Sequence, residues 1–155
     1  MTTEAIHNEK LRAFREHLHM VAALCFSGEI TKARKLSLTL TQANLLRLID
    51  YRDRPKMSDL SHHMKVTLGR ITRVTQEMYH KGLINLDRDA QDRRSVIVTL
   101  TDKGRKLRED LIVLDLAFCE HAFQKVSPDK IGTYITCLEG LYSALTEAIT
   151  LEEGN

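Results

Sequence analysis

DRDAQDRRSVIVTLTDKG, residues 87–104, decides how the rest of the chain is read. Six of the eight residues from Asp87 to Arg94 are charged, three aspartates against three arginines, and a β-branched run from Val96 to Thr99 follows. Just upstream lies the apolar step Leu83-Ile84-Asn85-Leu86. Strands over 83–86 and 95–101, with the charged loop between them, read as a β-hairpin. Thr101-Asp102-Lys103-Gly104 then leads into a long helical pattern.

The segment before the hairpin reads as a compact helical pair. Met57 or Ser58 opens a short helix with Leu60 and Met64 inward, and Lys65-Val66 makes a tight turn. Thr67 can N-cap a longer helix that runs to Gly82, a favourable residue just past a helix end. Two helices of about seven and fourteen residues across so short a turn fit a helix-turn-helix. Helix, turn, helix, hairpin is the order of a winged helix, and it is far more specific than either half. On a helical wheel Val74 and Met78 fall within about 60° of Ile71 and point to the core. Gly69, Thr72, Arg73, Gln76 and His80 fall opposite. An arginine matches the major-groove edge of guanine and a glutamine that of adenine, two hydrogen bonds at a time. Thr72, Arg73 and Gln76 are therefore the candidate base readers. Lys65, Thr67 and Arg70, near the first free amides of the helix, are suited to phosphate. Glu77 is unfavourable for DNA contact and suggests that only the first half of the helix enters the groove.

Long helices flank this core. Leu11, Phe14, Leu18, Val21 and Cys25 recur at helical spacing, which predicts a first helix of about 20 residues ended by Ser27-Gly28. A second helix begins near Thr41, with Leu45, Leu48 and Ile49 on one face, and stops before Pro55. After Asp102, Leu107, Leu111, Leu114 and Phe118 form one stripe, and Ile112, Leu116, Cys119 and Phe123 form another. Pro128 stands at the first position of a last helix carrying Ile131, Tyr134, Ile135, Leu138, Leu141, Leu145 and Ile149. These helices are more apolar than a winged helix of this size can bury, so a second copy of the chain is the expected cover; a self-contained helical layer is the alternative.

At 155 residues the chain reads as a single domain, 43% apolar and 28% charged, ordinary values for a globular protein. The formal net charge of +2 hides an asymmetry. Residues 1–50 carry 7 basic and 5 acidic side chains, residues 51–106 carry 13 and 7, and residues 107–155 carry 3 and 9. A basic middle beside an acidic end suits one face meeting a polyanion. The first residues, MTTEAIHNEKLRAFREH, include no apolar signal region, and no apolar run nears the roughly 18 residues that span a bilayer. A cytoplasmic location with no membrane partner is expected.

With these motifs in place, LTLTQANLLRLI, MSDLSHHM, GRITRVTQEMYHKGLI and DRDAQDRRSVIVTLTDKG resemble the MarR family of dimeric winged-helix transcription regulators. The wing matches most closely: a D-x-R step at Asp92 to Arg94, alternating apolar residues, then L-T-x-x-G. By motif the resemblance covers residues 36–108, and by element order the whole chain. It implies a mainly α fold with a small β-hairpin wing. The winged helix would span 36–106, with dimerisation helices over 5–27 and 107–151. It implies a homodimer on double-stranded DNA, a repressor at pseudo-palindromic operators, released by a small aromatic or apolar effector. Each wing, through Asp92, Arg93 and Arg94, would meet the minor groove, Asp92 orienting the Arg94 guanidinium, and Arg73 falls where the family has its recognition arginine. Gly69 departs from the family's small hydroxyl residue, and Met78 from its usual leucine.

Other readings stay open at this point. A winged-helix protein-interaction module without a DNA target is one. A thiol- or metal-sensing regulator is another. Cys25, Cys119 and Cys137 read as buried small hydrophobes, with no C-x-x-C and no adjacent basic residue. His17 and His19 are two apart on a helix and cannot share a face, and Cys119-Glu120-His121 faces three ways, so no metal site is expected. No glycine-rich phosphate loop, G-x-S-x-G or H-E-x-x-H is present, so neither an enzyme nor a resident cofactor is expected.

Overall fold

Period and punctuation dictate the elements, and packing adjusts their ends. The computed structural model describes residues 3–51 and 54–153. Six helices and a hairpin follow in order: α1 (Thr3–Lys35), α2 (Leu40–Tyr51), α3 (Met57–His63), α4 (Leu68–His80), β1 (Ile84–Arg88), β2 (Val96–Leu100), α5 (Asp102–Phe123) and α6 (Pro128–Glu153). Contacts divide the chain into two compact units, Met1–Asp115 and Leu116–Asn155, where a single domain is expected from length.

The first unit holds the winged helix. Leu45, Leu46, Ile49, Leu60, Ile71, Met78, Leu83, Ile84 and Val98 converge from α2, α3, α4 and the hairpin into one buried core. β1 and β2 pair antiparallel with Ile84 opposite Leu100 and Arg88 opposite Val96. Asp87 and Arg88 thus belong to the strand rather than the loop. A third short pairing joins the hairpin: Lys56 bridges Ile97, and the Val98 amide donates to the Pro55 carbonyl at 3.0 Å. Gly82 takes the left-handed φ of 68° after α4, and the Thr101 hydroxyl donates to its carbonyl at 2.7 Å. Gly104 packs so closely that a Cβ there would lie 2.0 Å from the Leu83 carbonyl oxygen.

α1 does not stop at Ser27-Gly28 but continues to Lys35. An interior glycine costs a helix about 1 kcal/mol relative to alanine, and the extra turns offset it by what they bury. Ala33 is buried against the core. Lys32 and Glu29 enter an ion cluster with Arg47 of α2 and Asp115 of α5. The Asp115 carboxylate takes the Arg47 fork through Nε at 3.0 Å and Nη2 at 3.0 Å, and Lys32 Nζ at 2.5 Å. Burial works against its charge, yet the hydrogen bonds from Lys32 and Arg47 outweigh it and hold its pKa below the ordinary aspartate value. For Lys32 burial likewise opposes the charge, and Asp115 and Glu29 overcome it, so its pKa is raised.

In the second unit α6 begins at Pro128, as the sequence predicts, and Phe123 meets Tyr134 with ring centroids 6.4 Å apart. Tyr134, Ile135, Leu138, Leu145 and Ile149 are exposed along α6. In the first unit Leu11, Phe14 and Val21 are exposed along α1. Cys25, Cys119 and Cys137 are exposed too, contrary to the expectation of buried thiols. The reason is shared: the apolar stripes that carry them are themselves exposed along each helix. No described helix is long and apolar enough to cross a membrane.

Candidate nucleic-acid interface

The helical pair turns where Lys65 adopts a left-handed φ of 49°, closed by the Val66 amide on the Ser61 carbonyl at 3.1 Å. Thr67 then caps α4, its hydroxyl oxygen accepting from the Arg70 amide at 3.4 Å. The remaining amides of the first turn have no intrahelical carbonyl, the usual arrangement that attracts phosphate. Lys65, Thr67 and Arg70 are all exposed around this end.

α4 buries Ile71, Thr75 and Met78 and half-buries Val74. Thr75 is missing from the apolar wheel because its hydroxyl disguises it; that hydroxyl donates to the Ile71 carbonyl at 2.9 Å and packs on Met57. Gly69, Thr72, Arg73, Gln76 and His80 are exposed, as the wheel predicts. Thr72 donates its hydroxyl hydrogen to the Leu68 carbonyl at 2.8 Å, so outward it offers a methyl group and an acceptor. Gln76 has no hydrogen-bond partner among the described residues, leaving both halves of its amide to a ligand. A Cβ on Gly69 would meet nothing within 4 Å, so packing does not require glycine there.

The wing is built differently from the expectation for Asp92. Its carboxylate does not hold the Arg94 guanidinium. It accepts instead from the Arg94 backbone amide at 3.1 Å and the Ser95 hydroxyl at 2.6 Å. Short acidic side chains favour such local backbone bonds over reaching a guanidinium several bonds away. Asp89 acts in parallel: it accepts from the Gln91 amide at 2.9 Å and pairs with Lys56 Nζ at 3.0 Å. The Ser95 hydroxyl and the Arg94 amide hold the Asp92 carboxyl below the ordinary range; the Gln91 amide and Lys56 do so for Asp89, which in turn raises the Lys56 pKa. The negative charge of the loop is thus consumed in folding its tip. Arg88 donates to the Arg93 carbonyl at 3.2 Å, and the Arg93 and Arg94 side chains are exposed.

A cleft of about 390 Å³ lies between the two elements. Thr72, Gln76 and Leu68 of α4 line one wall, and Leu86, Arg88, Arg94 and Val96 of the wing line the other, with Lys56 and Met57 between. The structure therefore brings Thr72, Gln76 and Arg94 together. Arg73 lies outside this cleft, its Nε 3.7 Å from Glu77 Oε1. Lys56 and Ser95 are absent from the sequence-derived site, although the D-x-Q and D-x-R-S spacings announce the turns that need Ser95. Among the described residues no group of three or more His, Cys, Asp or Glu is arranged to hold a metal.

Comparison with known proteins agrees with this geometry. The MarR family model matches residues 38–96. The chain is 25% identical over 121 residues to the HTH-type transcriptional regulator YfiV of Bacillus subtilis, covering 78% of this chain and 76% of that protein. In fold it is similar to a MarR family protein from Bacillus stearothermophilus, with a TM-score of 0.83 at 19% identity over 90% of this chain and 97% of that one. It is also similar to a mutant of Staphylococcus aureus MepR bound to an oligodeoxyribonucleotide, with a TM-score of 0.63 at 20% identity over 85% and 97% of the two chains. The family comprises transcription regulators rather than enzymes. Wing signature, recognition-type helix and these matches converge on the MarR family, whose model matches residues 38–96 of this chain.

Proposed function

We propose that the chain acts as a homodimeric repressor on pseudo-palindromic operators, with α4 in the major groove and the wing in the adjacent minor groove. The observation that carries this reading is the cleft where exposed Thr72 and Gln76 face Arg94 across the helix–wing gap. Thr72, Arg73 and Gln76 read bases; Lys65, Thr67 and Arg70 hold phosphates; Arg93 and Arg94 enter the minor groove on a tip that Asp92 folds. The exposed apolar residues of α1, α5 and α6 support dimerisation, since stripes this long on a monomer call for a partner. A small aromatic or apolar molecule is the class of effector proposed to release the repressor.

A selection from random duplexes tests the reading. It predicts an enriched pseudo-palindrome with half-sites about one helical turn, roughly 10 base pairs, apart, and affinity that falls steeply with salt. Failure to enrich any motif at low salt would favour a protein-interaction module instead.

A further inference from the structure

We infer that Gln42, acting through Glu77, is a positioning residue for base recognition: it fixes the pose in which Arg73 meets DNA. The inference rests on the proposed placement of α4 in the major groove. Glu77 is the anomaly that leads to it, a carboxylate on a helix that faces a polyanion. One of its oxygens, Oε1, lies 3.7 Å from Arg73 Nε. The other, Oε2, accepts from Gln42 Nε2 at 3.3 Å. Gln42 is only 1% exposed, and its orientation is settled by two donors. Lys81 Nζ reaches its Oε1 at 3.1 Å, and the Thr39 amide reaches the same oxygen at 3.2 Å. Its amide nitrogen must therefore point to Glu77. A buried, doubly held glutamine thus anchors one carboxylate oxygen and leaves the second to the arginine. Because that contact engages Nε, the two terminal nitrogens of Arg73 stay free for the paired acceptors of a guanine edge. An exposed pair of this length adds little to stability, so its consequence is orientation.

The test compares Glu77→Ala, Gln42→Glu and Arg73→Ala on the selected operator and on operators altered at single base pairs. Gln42→Glu keeps an oxygen for the Thr39 amide and for Lys81 but turns the donor facing Glu77 into a second carboxylate. Both relay variants are expected to lower discrimination at one base pair by roughly two- to fivefold. Glu77→Ala should meanwhile raise affinity for unrelated DNA at low salt, because a repelling charge is gone. A merely structural defect would weaken all binding together. In an Arg73→Ala background neither change should alter discrimination further. Unchanged discrimination in Glu77→Ala, while Arg73→Ala flattens it, overturns the relay; this variant alone decides if Gln42→Glu does not fold. Unchanged discrimination in Arg73→Ala overturns the groove assignment itself, and the relay with it.

Discussion

Replacing Asp115 by asparagine changes the ion cluster of α1, α2 and α5 from two acids and two bases to one acid and two bases. Lys32 and Arg47 lose Asp115 and keep Glu29 as a charged partner, and their side chains are 10% and 25% exposed. Removing one partner of a fully buried ion pair costs about 3–5 kcal/mol. Asp115 is 31% exposed and asparagine retains one acceptor, which reduces the figure to about 2 kcal/mol. For a chain of this size that corresponds to a fall of about 4–8 °C in Tm. Circular-dichroism melts of parent and Asp115→Asn at equal protein concentration measure it. The pH dependence has a definite sign. Asp115 has a lowered pKa when folded, so its contribution is complete above the unfolded aspartate value of about 4 and is lost as pH falls through the folded value. The gap between the two proteins should therefore be full at neutral pH and close in strong acid. A gap below about 0.5 kcal/mol at neutral pH, or one that widens on acidification, would mean that the Asp115 carboxylate does not stabilise this cluster.

Gly104→Ala should destabilise by about 1–3 kcal/mol in denaturant melts, because the new methyl collides with the Leu83 carbonyl oxygen. Asp92→Ala removes the acceptor for the Arg94 amide and the Ser95 hydroxyl; a three- to tenfold loss of operator affinity is expected, about 1 kcal/mol, with little change in Tm. Asp92→Asn keeps an acceptor for one of these donors and should lose less than Asp92→Ala in the same binding assay. Leu138→Asp, on the exposed stripe of α6, should convert a dimer to monomer in sedimentation velocity without unfolding the winged helix.

The sequence makes the winged helix legible because its signals are local: period, a capping Thr67, the turn at Lys65-Val66, and Gly82 at φ 68°. The outward face of α4 follows from the same periodicity. What escapes is set by distant partners. Nothing near Gly28 says that Lys32 will meet Asp115, 83 residues away, so the true end of α1 is hidden. The Pro55–Val98 pairing and the Gln42–Glu77 contact are hidden for the same reason. Asp92 is a different kind of failure. Its partner is adjacent in sequence, but the backbone amide wins over the guanidinium because the short carboxylate reaches it without ordering a long side chain. The cysteines stand on apolar stripes, the pattern of a buried thiol, yet those stripes are exposed.

In the proposed complex, α4 reads bases while the wing grips the duplex more generally. Anisotropy titrations of the parent, Arg73→Ala and Arg94→Ala test it against the selected operator and single-base-pair variants at one fixed salt concentration. Arg73→Ala should lose about 1–3 kcal/mol of discrimination at one base pair. Arg94→Ala should instead weaken binding to all sequences of similar minor-groove width by a comparable factor. Equal, sequence-independent losses in both variants, or no loss in either, would rule out this division of roles between α4 and the wing.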